Sequence, residues 1–260
     1  VDQKIKNGEP VGKLAGVPFI IKDNMLYKGH KATCASKFLI NFVSPYTATA
    51  VQKLLDNDAI ILGRANMDEF AMGGSNENSA FKLCKNAHDD TRVSGGSSGG
   101  SAVAVALNMC AAALGTDTGG SVRQPSSFNG VVGTKPTYGR ISRFGIVAFA
   151  SSLEQVGPIT KNVEDNAYLL EILAGEDEHD QTTLRVRAEK FLNEPVRQNL
   201  NGLRIGYCKQ LIEKFRQSEN YSFFEQAIEF FKKHGATIKE IDIPKIELAL
   251  PVYYILATAE

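Results

Sequence analysis

The sequence predicts an α/β fold built on a largely buried mixed sheet. Two observations predict it. Short apolar runs alternate with helix-like segments along the chain, and 43% hydrophobic with 22% charged residues is typical of a globular protein with a sizeable core. We expect one domain over residues 1–260. Because the chain starts without Met and stops inside a helix-like segment, we expect that domain to lack its N-terminal start and its C-terminal part.

The N-terminal half supplies most of the predicted elements. A short buried strand in "LAGVPFIIKDNM" ends at Lys22, and a second strand with a turn is predicted in "IILGRANM". Helical spacing marks "TATAVQKLLDNDA", and a short helix in "NMDEFAMGGSNENSAF" breaks at Gly73–Gly74. The run "AVAVALNMCAAAL" is predicted to be a deeply buried helix, because its small side chains let backbones approach closely.

The C-terminal half continues the alternation. The segment "NVEDNAYLLEILAG" predicts a helix with an Asn or Asp start and a Gly stop, and "EDEHDQTT" predicts a polar loop. The segments "GLRIGYC", "SFFEQAIEFFKKHG" and "ATIKEIDIP" predict a β-α-β unit.

Charge and cysteine content exclude several classes of function. Basic and acidic residues number 29 each, which gives no support to a general nucleic-acid surface or a polybasic membrane anchor. The four cysteines form no C-x-x-C pair, so we expect reduced thiols in a cytosolic protein and no metal site. The longest apolar run is too short to cross a bilayer and contains Asn108, so we expect no membrane association.

The stretch "SGGSSGGSAVAVA" at 94–106 has several possible interpretations. A flexible linker does not fit a segment that runs straight into a buried-type helix. A phosphate loop is weak, because no Lys follows the glycines and the G-x-G-x-x-G pattern is missing. The G-x-S-x-G match at 95–99 lacks the apolar strand of a nucleophile elbow, and "SAFK" lacks the motifs that accompany S-x-x-K.

Another interpretation joins Lys22, the Ser97–Ser98 pair and Ser121 into one catalytic site. A serine hydroxyl needs a base to become a nucleophile, and a buried lysine with a lowered pKa can be that base. A second serine can pass the proton, since a hydroxyl both donates and accepts. The backbone N–H groups just before Ser121 are candidates for binding an oxyanion; they belong to Thr118, Gly119 and Gly120.

The segments "IIKDN", "GGSSGGSAVAVA" and "GTDTGGSVRQPSSFNGVVGTKPTYGR", in this order, resemble the motifs of the amidase signature family. The resemblance covers essentially the whole chain and implies a central twisted mixed β-sheet covered by helices on both faces. It implies that Ser121 is the acyl-forming nucleophile and that Ser97, after a cis peptide bond at Gly96, is the bridging serine. It further implies that Lys22 is the base that also protonates the departing ammonia.

The resemblance also implies roles for neighbouring residues. Ser98, Asp117 and Arg123 are supporting residues, although a simple buried ion pair explains Asp117 and Arg123 equally well. Met72 resembles a residue of the substrate pocket, with a plain core methionine as the alternative. The chain departs from the family at Ser94, where proline is usual.

Within the family, "NMDEFAMGGSNENSAF", "KPTYGRISRFGIVAFASSLEQVGPIT" and "PVYYILATAE" are most similar to the glutaminase subunits of tRNA-dependent amidotransferases. The resemblance then implies that glutamine is hydrolysed to glutamate and ammonia. A partner, the B subunit, would use the ammonia, ATP and Mg²⁺ to convert Glu-tRNA(Gln) to Gln-tRNA(Gln), and a small C subunit would brace the heterotrimer. This chain would bind no cofactor, would meet tRNA only through its partner, and would work in the cytoplasm or the mitochondrial matrix.

Two alternatives stay open at this point. One is a stand-alone amidase that cleaves another small amide with the same residues. The other is a truncated, catalytically silent subunit that serves as a scaffold. The groups that hold the α-carboxylate and α-amino group of glutamine are expected mostly beyond Glu260.

Overall fold

The computed structural model describes residues 1–185, 190–193 and 199–260. The chain divides into two compact units, residues 1–193 with 257–260 and residues 194–256. The expectation of one incomplete domain over residues 1–260 stays a prediction.

The first unit is built on a mixed sheet. Its strands are β1 (Pro18–Lys22), β2 (Ile60–Ala65), β3 (Ala112–Asp117), β4 (Val132–Gly133) and β5 (Gln155–Thr160). Their order in the sheet is β2-β1-β3-β5-β4. Strand β1 runs parallel to β2 and β3, whereas β5 pairs antiparallel with β3 and β4. The predicted α/β class with a mixed sheet is confirmed.

Five α-helices accompany this sheet in the described part of the first unit: α1 (Asp2–Lys6), α2 (Thr49–Asp56), α3 (Gly99–Ala106), α4 (Arg123–Phe128) and α5 (Val163–Leu173). Short 3₁₀ turns lie at Lys37–Leu39, Glu69–Ala71 and Phe191–Asn193. The start of α5 is as predicted, because the Asn162 side chain accepts the Asp165 N–H at 2.7 Å.

Alternate residues of β1 face two separate apolar cores. Phe19 and Ile21 belong to a cluster with Leu54 of α2 and Leu173 of α5. Ile20 packs against the other cluster, which contains residues of α3. Because successive side chains of a strand point to opposite faces, helices cover both faces of the sheet, as the resemblance implied.

The predicted helix over "AVAVALNMCAAAL" is wrong in its second half. Helix α3 ends at Ala106, the chain turns through Asn108 with φ of 57°, and β3 begins at Ala112. Every residue of β3 is buried. A continuous run of small apolar residues suits a strand buried on both faces as well as it suits a buried helix, so composition alone did not separate the two.

The second unit contains the predicted β-α-β arrangement. Strands β6 (Arg204–Cys208) and β7 (Thr237–Ile241) pair in parallel, and α7 (Tyr221–Lys233) lies between them in the chain. A further helix, α6 (Lys209–Phe215), follows β6 directly. After a 3₁₀ turn at Ile246–Leu248, the chain ends in α8 (Ala249–Ala259), which confirms the helix expected in "PVYYILATAE".

The remaining sequence features concern the cysteines, membrane-spanning helices and metal sites. All four cysteines are free; Cys34 and Cys110 are buried, and the other two are partly buried. Among the described residues, no helix has the length and apolar character that crossing a membrane requires. The same residues hold no cluster of three or more side chains suited to a metal ion.

Candidate active site

Two parallel strands deliver the central residues of the site. Lys22 is the last residue of β1, and Asp117 is the last residue of β3. The carboxyl ends of parallel neighbours meet at one edge of a sheet, which is where α/β proteins commonly place their ligands. The Ser97–Ser98 pair lies just before α3, which packs against this sheet.

Lys22 and Ser97 form a buried hydrogen bond. The Nζ of Lys22 donates to Ser97 Oγ at 2.7 Å, and both side chains are 0% exposed. The same amine donates to the hydroxyl of Thr116 at 3.0 Å and to its carbonyl at 3.3 Å. The structure therefore brings together two of the three predicted catalytic residues, 75 positions apart in the chain.

Burial makes Lys22 suitable as a base. It lowers the pKa of Lys22 from 10.5 to about 8, while the nearby charge of Glu154 acts most strongly in the opposite direction. A lysine with this pKa is largely neutral slightly above pH 8, so its amine can accept a proton from a hydroxyl.

The glycine–serine stretch is held in place from two sides. The Gly96 N–H donates to Gln124 Oε1 at 2.9 Å, and the Ser97 carbonyl accepts the Asp68 N–H at 3.3 Å. The peptide bond between Gly96 and Ser97 is cis, as the resemblance implied. A Cβ on Gly96 would collide with the Asp68 carboxylate, so this position requires glycine. The segment is a packed part of the site, and the linker interpretation does not apply.

Ser98 connects the loop of Ser121 to β3. The Ser98 N–H donates to the Ser121 carbonyl at 3.1 Å, and its hydroxyl donates to the Thr116 carbonyl at 3.1 Å. Ser121 itself is 8% exposed. The loop with the predicted nucleophile therefore lies against the loop with the predicted bridging serine.

Asp117 and Arg123 form an ion pair that shapes the turn around Ser121. The Arg123 Nη2 lies 2.8 Å from Asp117 Oδ1, and the Val122 N–H donates to Oδ2 at 2.9 Å. Burial raises the pKa of Asp117, but the hydrogen bonds from Arg123 and the turn outweigh it and hold that pKa below its ordinary value. An ionised Asp117 thus fixes the turn.

One predicted oxyanion donor is already engaged. The N–H of Gly120 donates to Asp117 Oδ1 at 2.9 Å, because the carboxylate at the end of β3 accepts hydrogen bonds from the N–H groups of the turn that follows. The oxyanion role of Thr118 and Gly119 stays a prediction.

Met72 is not a core residue. It is 56% exposed and lines an open pocket of about 760 Å³ together with Phe38 and Phe70. The residues that line this pocket do not include the three predicted catalytic residues. The role of Met72 in substrate binding stays a prediction.

Among the described residues, Ser97 has no histidine hydrogen-bond partner of the kind that a nucleophile elbow requires. The ring of His179 stacks on Phe144, with centroids 4.6 Å apart. A ring nitrogen of His234 lies 2.7 Å from the Phe230 carbonyl oxygen of its own helix. The oxygen of Ser97 faces Lys22 instead.

The sequence interpretation missed three buried polar residues of the site. The Thr116 hydroxyl accepts hydrogen bonds from Lys22 and, at 3.1 Å, from Asn24 Nδ2. Glu154 is fully buried and is the strongest of the charges that act on Lys22. The available signals were weak: Asn24 follows Lys22 closely, Thr116 precedes Asp117, and Glu154 is a lone charge just before an uncharged strand.

The chain matches the protein-family model described as Amidase over residues 1–260. It belongs to the amidase family. The buried Lys22, Ser97 and Ser121 of this amidase therefore lie in segments that the family match includes.

Two curated relatives of the chain are A subunits of glutamyl-tRNA(Gln) amidotransferases. It is 52% identical over 260 residues to the second glutamyl-tRNA(Gln) amidotransferase A subunit of Clostridium acetobutylicum, covering 100% of this chain and 54% of that protein. It is 50% identical to the corresponding A subunit of Microcystis aeruginosa, with the same coverage. The chain spans about half the length of the curated relatives it matches.

Solved structures show the same fold. The glutamyl-tRNA(Gln) amidotransferase A subunit of Thermotoga maritima superposes with a TM-score of 0.91 at 48% identity, covering 96% of this chain and 55% of that one. The peptide amidase of Stenotrophomonas maltophilia superposes with a TM-score of 0.81 at 30% identity, covering 97% and 53%. The amidase-signature fold implied by the sequence is confirmed.

Proposed function

We propose that this amidase is the glutaminase part of a tRNA-dependent amidotransferase, which hydrolyses glutamine to glutamate and ammonia. The observation that carries the proposal is the buried Lys22–Ser97 hydrogen bond. It lies beside the loop of Ser121 in a chain that is about half identical to amidotransferase A subunits.

Acylation uses the three residues in series. Ser121 transfers its proton to Ser97, Ser97 transfers its own to the neutral amine of Lys22, and the Ser121 oxygen bonds to the carboxamide carbon. Backbone N–H groups of Thr118 and Gly119 stabilise the oxyanion. When the C–N bond breaks, the proton held by Lys22 returns through Ser97 to the leaving nitrogen, and ammonia departs.

Deacylation repeats the path with water. Lys22 is neutral again after ammonia leaves, so it can accept the proton of an attacking water through Ser97. The tetrahedral intermediate then collapses, the proton held by Lys22 returns through Ser97 to the Ser121 oxygen, and glutamate leaves. The Asp117–Arg123 ion pair keeps the turn of Ser121 in place during both halves of the reaction.

The names of the relatives support partner subunits. Each of the two relatives is an A subunit, which supports a multi-subunit complex. We propose that this complex is a heterotrimer with two further subunits, B and C. In this proposal the B subunit receives the ammonia and amidates Glu-tRNA(Gln) with ATP and Mg²⁺, and the C subunit stabilises the pair. The chain itself holds no cofactor, meets tRNA only through its partner and works in the cytoplasm or the mitochondrial matrix.

A stand-alone amidase is the second candidate. The superposition on a peptide amidase, with a TM-score of 0.81, supports it. The lower identity, 30% against 52% for the amidotransferase relative, makes it the weaker candidate. The silent scaffold is disfavoured by a base that is buried and bonded to a serine.

Glutamate release from glutamine tests the proposal, measured with and without the proposed partner subunits and with Ser121→Ala as the control. We expect hydrolysis that rises when the partners are added and is lost in the variant. Strong hydrolysis of simple amides by the chain alone would favour the stand-alone amidase. Absence of turnover under every condition would favour the scaffold.

A further inference from the structure

Lys22 lies among neutral acceptors. Its three hydrogen bonds go to the Ser97 hydroxyl, the Thr116 hydroxyl and the Thr116 carbonyl. Within the described part of the chain, no carboxylate oxygen lies within ion-pair distance of its Nζ. When Lys22 takes a proton, it becomes a buried ammonium, and a buried charge is costly unless an opposite charge is near.

Three other ionisable groups near Lys22 either have hydrogen-bond or ion-pair partners of their own or are neutral. Asp117 is neutralised by Arg123 at 2.8 Å. The Asp68 carboxylate accepts two backbone N–H groups of the loop that follows it. Burial raises the pKa of the Cys34 thiol to about 12, so it is neutral. None of these groups is a dedicated counter-charge for Lys22.

Glu154 is different. Its side chain is fully buried, its Oε2 accepts the Phe149 N–H at 2.8 Å, and its Oε1 has no hydrogen-bond partner. The register of β3 and β5 pairs Val156 with Thr116 and Gln155 with Asp117. Glu154, which directly precedes β5, therefore lies at the edge of the sheet where β1 and β3 end.

We propose that Glu154 is a positioning residue for Lys22, and that its buried carboxylate stabilises the ammonium that Lys22 becomes when it takes the serine proton. The Thr116 hydroxyl, which accepts a hydrogen bond from Lys22, is also among the groups that lower the pKa of Glu154. The assignment rests on the proposed function, because it needs Lys22 to act as the base.

The titration behaviour agrees with this geometry. Burial raises the pKa of Glu154, and the charge of Lys22 is the largest influence that lowers it again. Conversely, Glu154 is the largest of the charges that raise the pKa of Lys22, ahead of Asp117 and Asp68. Each group is therefore most easily ionised when the other is ionised.

The test measures the titration of Lys22 by NMR of ε-labelled lysine in the protein assembled with its proposed partners. In Glu154→Gln we expect the pKa of Lys22 to fall by about one unit. We also expect kcat for glutamine on the plateau above about pH 8, where Lys22 is neutral in both proteins, to drop by up to about tenfold with little change in KM. Glu154→Asp should recover much of both, and Glu164→Gln, an exposed carboxyl on α5, should change neither.

A structural role gives a different result. If Glu154→Gln lowers the melting temperature and leaves the Lys22 titration unchanged, the assignment is overturned. If that variant does not fold, an NMR titration of the parent protein tests the assignment. The carboxyl ¹³C resonance of Glu154 must show an inflection at the pKa of Lys22, and a titration curve without this inflection overturns the assignment. Because neither titration involves substrate, coupled titration with no glutamine hydrolysis would refute the proposed function alone.

Discussion

The Nζ of Lys22 lies 2.7 Å from the Oγ of Ser97, and neither side chain reaches solvent. A buried amine next to a hydroxyl is a base that needs no histidine. In the proposed mechanism this contact makes Ser97 the middle of a proton path, whereas the G-x-S-x-G match alone would have made it the nucleophile.

Lys22→Ala should remove acylation. General-base catalysis contributes about 10²–10⁴-fold, so we expect kcat/KM for glutamine to fall within that range or beyond it. Lys22→Met, which fills the space without a proton acceptor, should give the same loss with a fold closer to the original. Circular dichroism and thermal melting show whether each variant folds; near-normal turnover in a folded variant would overturn the assignment of Lys22 as the base.

Activity should depend on pH through Lys22. The lysine acts as a base only when neutral, and its pKa is about 8. Below that pH, kcat/KM should fall about tenfold per pH unit, and above it kcat/KM should level off. The check is a profile of glutamine hydrolysis from about pH 6 to about pH 10. A profile that is flat across this range contradicts the assignment.

Gly96→Ala should interrupt proton transfer between Ser97 and Lys22. The new Cβ would collide with the Asp68 carboxylate and lie 2.9 Å from the Asn76 nitrogen, so the loop must shift and move Ser97 away from Lys22. A misplacement of this kind costs on the order of 10²-fold in turnover. Gly63→Ala is the matched control, because nothing lies within 4 Å of its Cβ position. Equal turnover in the two variants would contradict the tight fit at Gly96.

Asp117→Asn should destabilise the protein. It removes a buried carboxylate that binds the Arg123 side chain and three backbone N–H groups of the turn, and we expect a loss of about 1–3 kcal/mol in the free energy of unfolding near pH 7. Urea unfolding measures it. Asp90→Asn, with a side chain that is 79% exposed, is the control and should change the free energy of unfolding little.

The same carboxylate predicts a pH dependence of stability. The pKa of Asp117 is lower in the folded protein than its ordinary value. Its stabilisation is therefore fully present above the ordinary pKa of an aspartate and is lost as the pH falls through the folded pKa. The stability difference between the parent protein and Asp117→Asn should shrink in acid; a constant difference would contradict the lowered pKa.

Local pattern was sufficient to predict part of the site. An apolar strand that ends in Lys22 and a glycine–serine turn before a small-residue helix are both visible in short windows of sequence. The structure places Lys22 and Ser97 as those windows suggested. Strand β3 was missed because its small apolar residues carry no period that separates a buried strand from a buried helix.

The remaining parts of the site depend on long-range pairing. Glu154 comes near Lys22 only because β5 pairs antiparallel with β3, a register that no local pattern encodes. The capture of the Gly120 N–H by Asp117 is likewise a property of the folded turn. Residue types alone gave Gly120 the same oxyanion role as its neighbours.

The most direct test of the central claim is to identify the nucleophile. The protein is incubated with an amide-mimicking electrophile, and the modified residue is identified by peptide mapping with mass spectrometry. The account predicts a single adduct on Ser121 that disappears in Ser121→Ala and forms far more slowly in Lys22→Ala. An adduct on Ser97, or labelling of Ser121 that does not depend on Lys22, would contradict it.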